Sequence, residues 1–163
     1  MSSDDTDNFP GKAQSVTRRV MRGFQPDLLA KARGEARISQ RELARLARLN
    51  GETVRRWELG DSSPQVDMLA RVVAVLGGTI ADVVVVPEEE RYPGDWRVLR
   101  GLTQPMLGAA AGITTAIVGG VERGEIPLSD RVATKLSEAL GISEAELRAS
   151  YDRVRNRPAG QSA

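Results

Sequence analysis

The chain has 163 residues with no cysteine and no histidine, two each of Phe, Tyr and Trp, and a formal net charge of +1. That composition excludes disulfides, thiolate metal sites, cysteine nucleophiles, Ser-His-Asp chemistry and the HExxH zinc motif. The length accommodates two units of roughly 60 residues, each in the range that folds alone around Leu, Val, Ile and Ala. No apolar run approaches the roughly 18 residues of a membrane span, and the N-terminus is polar and acidic, so a soluble cytoplasmic protein is expected.

Residues 1–23 lack helical periodicity and read as a mobile arm, basic over Arg18, Arg19 and Arg22. Apolar residues at Leu28, Leu29, Ala32 and Ala36 then mark a first helix, with Pro26 suited to its first turn. Ser39 and Glu42 have capping-box spacing and predict a second helix over Gln40–Ala47. Arg48-Leu49-Asn50 is the turn, and Asn50 is expected to cap a third helix from Gly51 to about Leu59. Pro64 leads into a fourth helix with Met68, Leu69, Val72, Val73 and Leu76 on its apolar face. Residues 79–86 contain four consecutive valines, which fit two readings: a short strand pairing across a dimer, or an extended segment buried under the helices. Residues 88–94 are expected to be a linker. A second unit over 95–152 has helices near Asp95, from Gln104, from Thr115, from Ser129 to Leu140 and from Ser143. Residues 153–163 read as a flexible tail with solubilising arginines.

The two units repeat at a shift of 64 residues. Ser39-Gln40 returns as Thr103-Gln104, Leu43 as Leu107, Glu58-x-Gly60 as Glu122-x-Gly124, and Leu76-Gly77 as Leu140-Gly141. With Arg33, Ile38-Ser39-Gln40-x-x-Leu43-Ala44, Leu49, Val54, Trp57-Glu58-x-Gly60 and Pro64, the first unit resembles the Cro and phage-repressor (xenobiotic response element) helix-turn-helix family. The second matches through Arg97, Leu102-Thr103-Gln104, Leu107, Ile113, Val118 and Glu122-x-Gly124. It departs at Gly108 and at Pro127, one place early.

The resemblance implies an all-α protein of two tandem repressor-like bundles that binds a double-stranded DNA operator. A homodimer on a palindromic site is expected, as is a nucleoid-associated location. In helix 3, Val54 and Trp57 share the core side, leaving Gly51, Glu52, Arg55 and Arg56 to meet base edges in a major groove. Phosphate contacts are expected from Gln40, Arg41, Arg48 and Asn50, with Arg18 and Arg19 in the arm. The family also implies a structural ion pair between Arg33 and Glu58.

The second unit differs at the positions that would touch DNA. Its outer face reads Thr115, Ala116, Gly119, Gly120 and Arg123, and nothing from Thr103 to Val121 is charged. From Glu88 to Ser150 there are seven Lys or Arg against ten Asp or Glu, a net charge of −3. The first four of those residues are therefore candidates for a protein contact, serving dimerisation, regulation or weaker DNA contact. An antitoxin or phage-type immunity regulator remains a rival reading, because the valine run resembles the β extension of some antitoxins. So does a protein-interaction module engaging RNA polymerase. No enzyme activity, cofactor, metal or membrane is expected.

Overall fold

The computed structural model describes residues 20–163 and contains nine α-helices and no multi-residue strand among them. In the first unit these are α1 (Pro26–Glu35), α2 (Gln40–Leu46), α3 (Thr53–Glu58) and α4 (Val66–Val75). The second unit carries α5 (Pro93–Leu99), α6 (Gln104–Ala111), α7 (Thr115–Glu122), α8 (Asp130–Leu140) and α9 (Glu144–Arg155). No single helix among the described residues is long and apolar enough to cross a membrane.

Hydroxyl caps set most of these boundaries. Ser39, Thr103, Thr114, Ser129 and Ser143 each accept the backbone N–H of the residue three further on. The box at Ser143 is complete, since Glu146 accepts the Ser143 N–H at 2.8 Å. At Ser39 only half of it forms, because the Glu42 carboxylate turns to Arg45 at 2.6 Å. Asn50 does not cap α3 as expected. Its Oδ1 accepts the Glu52 N–H at 3.1 Å, and Glu52 holds the cap position, so the helix starts later, at Thr53. Proline at the first helical position starts both α1 and α5. Pro93 thus belongs to a helix rather than to the expected linker, and Glu88–Glu90 form a 3-10 turn.

The valine segment is the extended, buried one of the two readings. A 3-10 turn at Ile80–Asp82 precedes it, and Val83, Val84 and Val86 are buried while Val85 is exposed. Its partner lies in the same chain. Gln25 N–H donates to Val83 O and Val85 N–H to Gly23 O, both at 2.8 Å. The pairing stops at one antiparallel bridge, Phe24 to Val84, because Pro26 turns the chain into α1. Gly23 has φ 78°, and a Cβ there would lie 2.7 Å from Val85 O, so only glycine lets the two segments approach. The alternative reading, a strand of several residues at 79–86, is therefore not present, and the antitoxin reading loses the feature that suggested it. The last residues of the expected arm are tied down as well: Met21 N–H donates to Ser63 Oγ at 2.7 Å.

Each unit has its own core. Leu29, Leu43, Val54, Trp57, Leu69 and Val72 centre the first; Leu107, Val118, Val121, Leu136, Leu140 and Leu147 centre the second. A seam joins them. Val98 and Leu99 of α5 pack against the first core, and Gly101 sits so close to Ala70 that a Cβ on it would be 3.1 Å from the alanine's. Arg22 crosses the same seam to Asp95 at 2.5 Å and lies over the Tyr92 ring, 4.2 Å from its centroid.

α9 runs through Arg155, further than expected, and buries Tyr151 and Val154. The tail arginines are not merely solubilising. Arg153, Arg155 and Arg157 donate to the carbonyls of Arg91, Gly124 and Arg123 at 2.9, 2.9 and 2.8 Å, fastening loops to the end of the chain.

Candidate nucleic-acid interface

α3 is short and gains its position from tertiary contacts rather than from its own length. Val54 and Trp57 are buried on one side. Glu58, the last residue of the helix, is bolted to α1: Arg33 Nε and Nη2 donate to its two oxygens at 2.6 and 3.0 Å. Arg33 Nη1 also donates to Ile38 O at 3.0 Å, which fixes the turn before α2. The Glu58 hydrogen bonds raise the Arg33 guanidinium above its ordinary pKa, so the arginine stays charged. The expected pair is thus present, and it has a third member. Gln40 Nε2 donates to Glu58 at 2.6 Å, so the side chain expected on phosphate also clamps α2 to α3.

The second unit repeats this cluster bond for bond. Arg97 donates to Glu122 at 2.6 and 3.2 Å and to Leu102 O at 2.7 Å, and Gln104 donates to Glu122 at 2.8 Å. The recurrence of Gln40 as Gln104, together with Glu58 as Glu122, was the sequence signal for that third member.

With α3 seated, Arg55 and Arg56 are exposed on its outer side, and Gly51 and Glu52 are exposed just before its first turn. Glu52 lies between two arginines, 3.4 Å from Arg41 and 3.7 Å from Arg55. Such exposed pairs are weak and exchange readily for another anion. Arg56 enters no ion pair among the described residues. Arg41 and Arg48 are exposed on α2 and the turn after it, and Asn50 is exposed with its oxygen committed to the Glu52 N–H. Arg18 and Arg19 lie outside the described residues.

Two arginines beside α2 have left-handed backbones, Arg37 with φ 56° and Arg48 with φ 58°. At the matching places the second unit has Gly101 and Gly112, with φ 71° and 67°. A non-glycine residue pays about 1–2 kcal/mol for that conformation. Sequence reading placed Arg48 at the site for its charge alone and passed over Arg37.

In the second unit Thr115 and Ala116 are exposed as expected, but Gly119 and Gly120 are buried. The Arg123 guanidinium covers Gly119, where a Cβ would sit 2.9 Å from Nη1, and Arg123 itself pairs with Glu125 at 2.9 Å. Ile126 covers Gly120, with side-chain carbons 3.0 Å from where a Cβ would be. The expectation that all four residues form an open small-residue patch is corrected at the two glycines. The connection after α7 is as long as the one after α3, and the 64-residue shift puts Ile126 where the first unit has Ser62.

The first unit therefore presents an exposed acid-and-arginine face on a helix anchored from behind; the second keeps the anchor and lacks the face. Among the described residues no cluster of side chains has the makings of a metal site. A sequence model of the helix-turn-helix family matches the chain twice, over residues 29–83 and 95–147. No curated protein matches it. Those two matches coincide with the two α2–α3-type units just described, and the chain belongs to the Cro/C1-type helix-turn-helix family, a family of DNA-binding regulators, with two such domains in tandem.

Proposed function

We propose that this protein is a sequence-specific transcriptional repressor that reads the major groove of its operator with α3 of the first unit. The observation that carries the reading is the outer side of α3 and its cap position, where Arg55, Arg56 and Glu52 are exposed while Val54, Trp57 and Glu58 hold the helix from behind. Arginine fits guanine O6 and N7 bidentately, and glutamate accepts from cytosine N4. Gly51 leaves the backbone open to a base edge. Gln40, Arg41, Arg48 and Asn50 flank that helix as phosphate contacts, with Arg18 and Arg19 as further candidates. A homodimer would set two copies of α3 one helical turn of duplex apart, roughly 34–36 Å, on a palindromic operator. Occupying a promoter then blocks polymerase.

The second unit serves as a protein-contact or regulatory domain in this reading. Support comes from its uncharged stretch from Thr103 to Val121, with Thr115, Ala116 and Met106 exposed. A phosphate-binding surface needs positive charge there.

The test is selection of binding sites from a random duplex pool with the full chain. Arg56→Ala and Glu52→Ala should each lose preference at one base position, about 1–3 kcal/mol of discrimination. Arg41→Ala should weaken binding to all sequences alike. If the Arg55 and Arg56 variants select the same sites with the same affinity while Thr115 and Ala116 variants do not, the reading head is in the second unit instead.

A further inference from the structure

α2 is bracketed by arginines on a left-handed backbone, Arg37 before it and Arg48 after it. The matching turns of the second unit show what the fold itself requires there. Gly101 and Gly112 take the same conformation without a backbone cost; Gly101 is also held small by Ala70 at the seam, whereas around Gly112 there is open space except for the Lys135 tip at 3.9 Å. The first unit has departed from glycine at both turns, and to the same residue type each time. Outliers of this kind persist where the side chain has work that glycine does not do.

Packing is not that work, since both side chains are exposed. Nor is ion pairing: around α2 and α3 the paired arginines are Arg33, Arg41, Arg45 and Arg55, and neither Arg37 nor Arg48 joins them among the described residues. A guanidinium offers a fork of donors that matches an anionic phosphodiester oxygen pair. Helix α2 has seven residues, about 10 Å of axis, so the two arginines stand at opposite ends of the helix that lies beside α3.

We propose that Arg37 is a DNA phosphate contact and acts with Arg48 as a two-ended clamp that sets how α2 lies on the duplex backbone. The inference rests on the first unit being the DNA-binding one. It also gives a physical reason for the unlike halves: the second unit, with glycine at both turns, has the same frame and no clamp.

The experiment uses the full chain with two duplexes, one recovered by selection from a random pool and one of unrelated mixed sequence, titrated over a range of salt. Arg37→Ala keeps the left-handed strain and removes the guanidinium; Arg37→Gly removes both; Arg37→Lys keeps a charge. Arg37→Ala and Arg37→Gly should weaken binding to both duplexes by the same factor, roughly three- to tenfold, and lower the salt slope by about 0.9. Arg37→Lys should retain most of the affinity, and Arg37→Gly should unfold no lower than the wild type. Unchanged affinity and salt slope in the Ala and Gly variants would overturn the proposal, and so would a loss in the Gly variant alone, which reports turn stiffness. If the wild type binds neither duplex, the DNA-binding reading fails first, and that outcome is distinguishable.

Discussion

Asp95 shows how a single side chain at the seam connects folding to pH. It accepts the Tyr92 N–H at 2.7 Å at the start of α5 and faces Arg22 at 2.5 Å. Burial raises its pKa above the ordinary 3.8, and the Tyr92 hydrogen bond and the charges of Arg22 and Arg91 counter only part of that. A raised folded-state pKa means the folded chain keeps this proton to higher pH than the unfolded chain does. The stability Asp95 contributes is therefore fullest below the ordinary aspartate pKa and is lost as pH rises through the raised value. Asp95→Asn preserves an acceptor for Tyr92 and abolishes the titration. Denaturant midpoints for both proteins between about pH 4 and pH 7 should show the wild type losing ground to the variant as pH rises, then a constant gap. Parallel curves would remove Asp95 from the pH response.

At the level of the elements, α7 separates what the sequence announces from what it conceals. Helix boundaries were legible from hydroxyl caps and apolar periodicity, because caps are local chemistry written within four residues. The Arg33–Glu58 pair and the outward set Gly51, Glu52, Arg55 and Arg56 were legible through the repeat and the family pattern. The cover over α7 was not, because Arg123 and Ile126 follow the helix and fold back on it, and helical spacing carries no trace of that. Two substitutions test this cover. Gly119→Ala gains about 1 kcal/mol of helix propensity and displaces only the tip of a flexible arginine, so its unfolding midpoint should rise. Gly120→Ala gains the same propensity and presses on three carbons of Ile126 at 3.0–3.2 Å, so its midpoint should stay level or fall. A rise of equal size in both would mean that Ile126 does not hold Gly120 covered. The valine run stayed ambiguous for a related reason. Its partner, Gly23–Gln25, lies some sixty residues upstream in a segment that composition marks as an arm.

For the molecule as a whole, the seam decides whether two domains behave as two. Val98 and Leu99 belong to the second unit by sequence and pack against the core of the first, with Arg22 reaching the other way. Calorimetry should accordingly give one transition with matching calorimetric and van 't Hoff enthalpies. Leu99→Ala, at a partly buried site, should cost about 1–2 kcal/mol and begin to split that transition in two. Two well-resolved transitions in the wild type would show that the seam carries little energy. The buried glycines of α7 bear on a different question, that of retrofitting. Both repeats share one chassis, so transplanting Arg55 and Arg56 onto positions 119 and 120 looks like a way to make a two-headed DNA reader. It would jam instead, since the incoming side chains need the volume that Arg123 and Ile126 fill. Restoring a second head requires clearing the lid as well, beginning with Ile126→Ser, and the specificity of one half is not portable to the other by its contact residues alone.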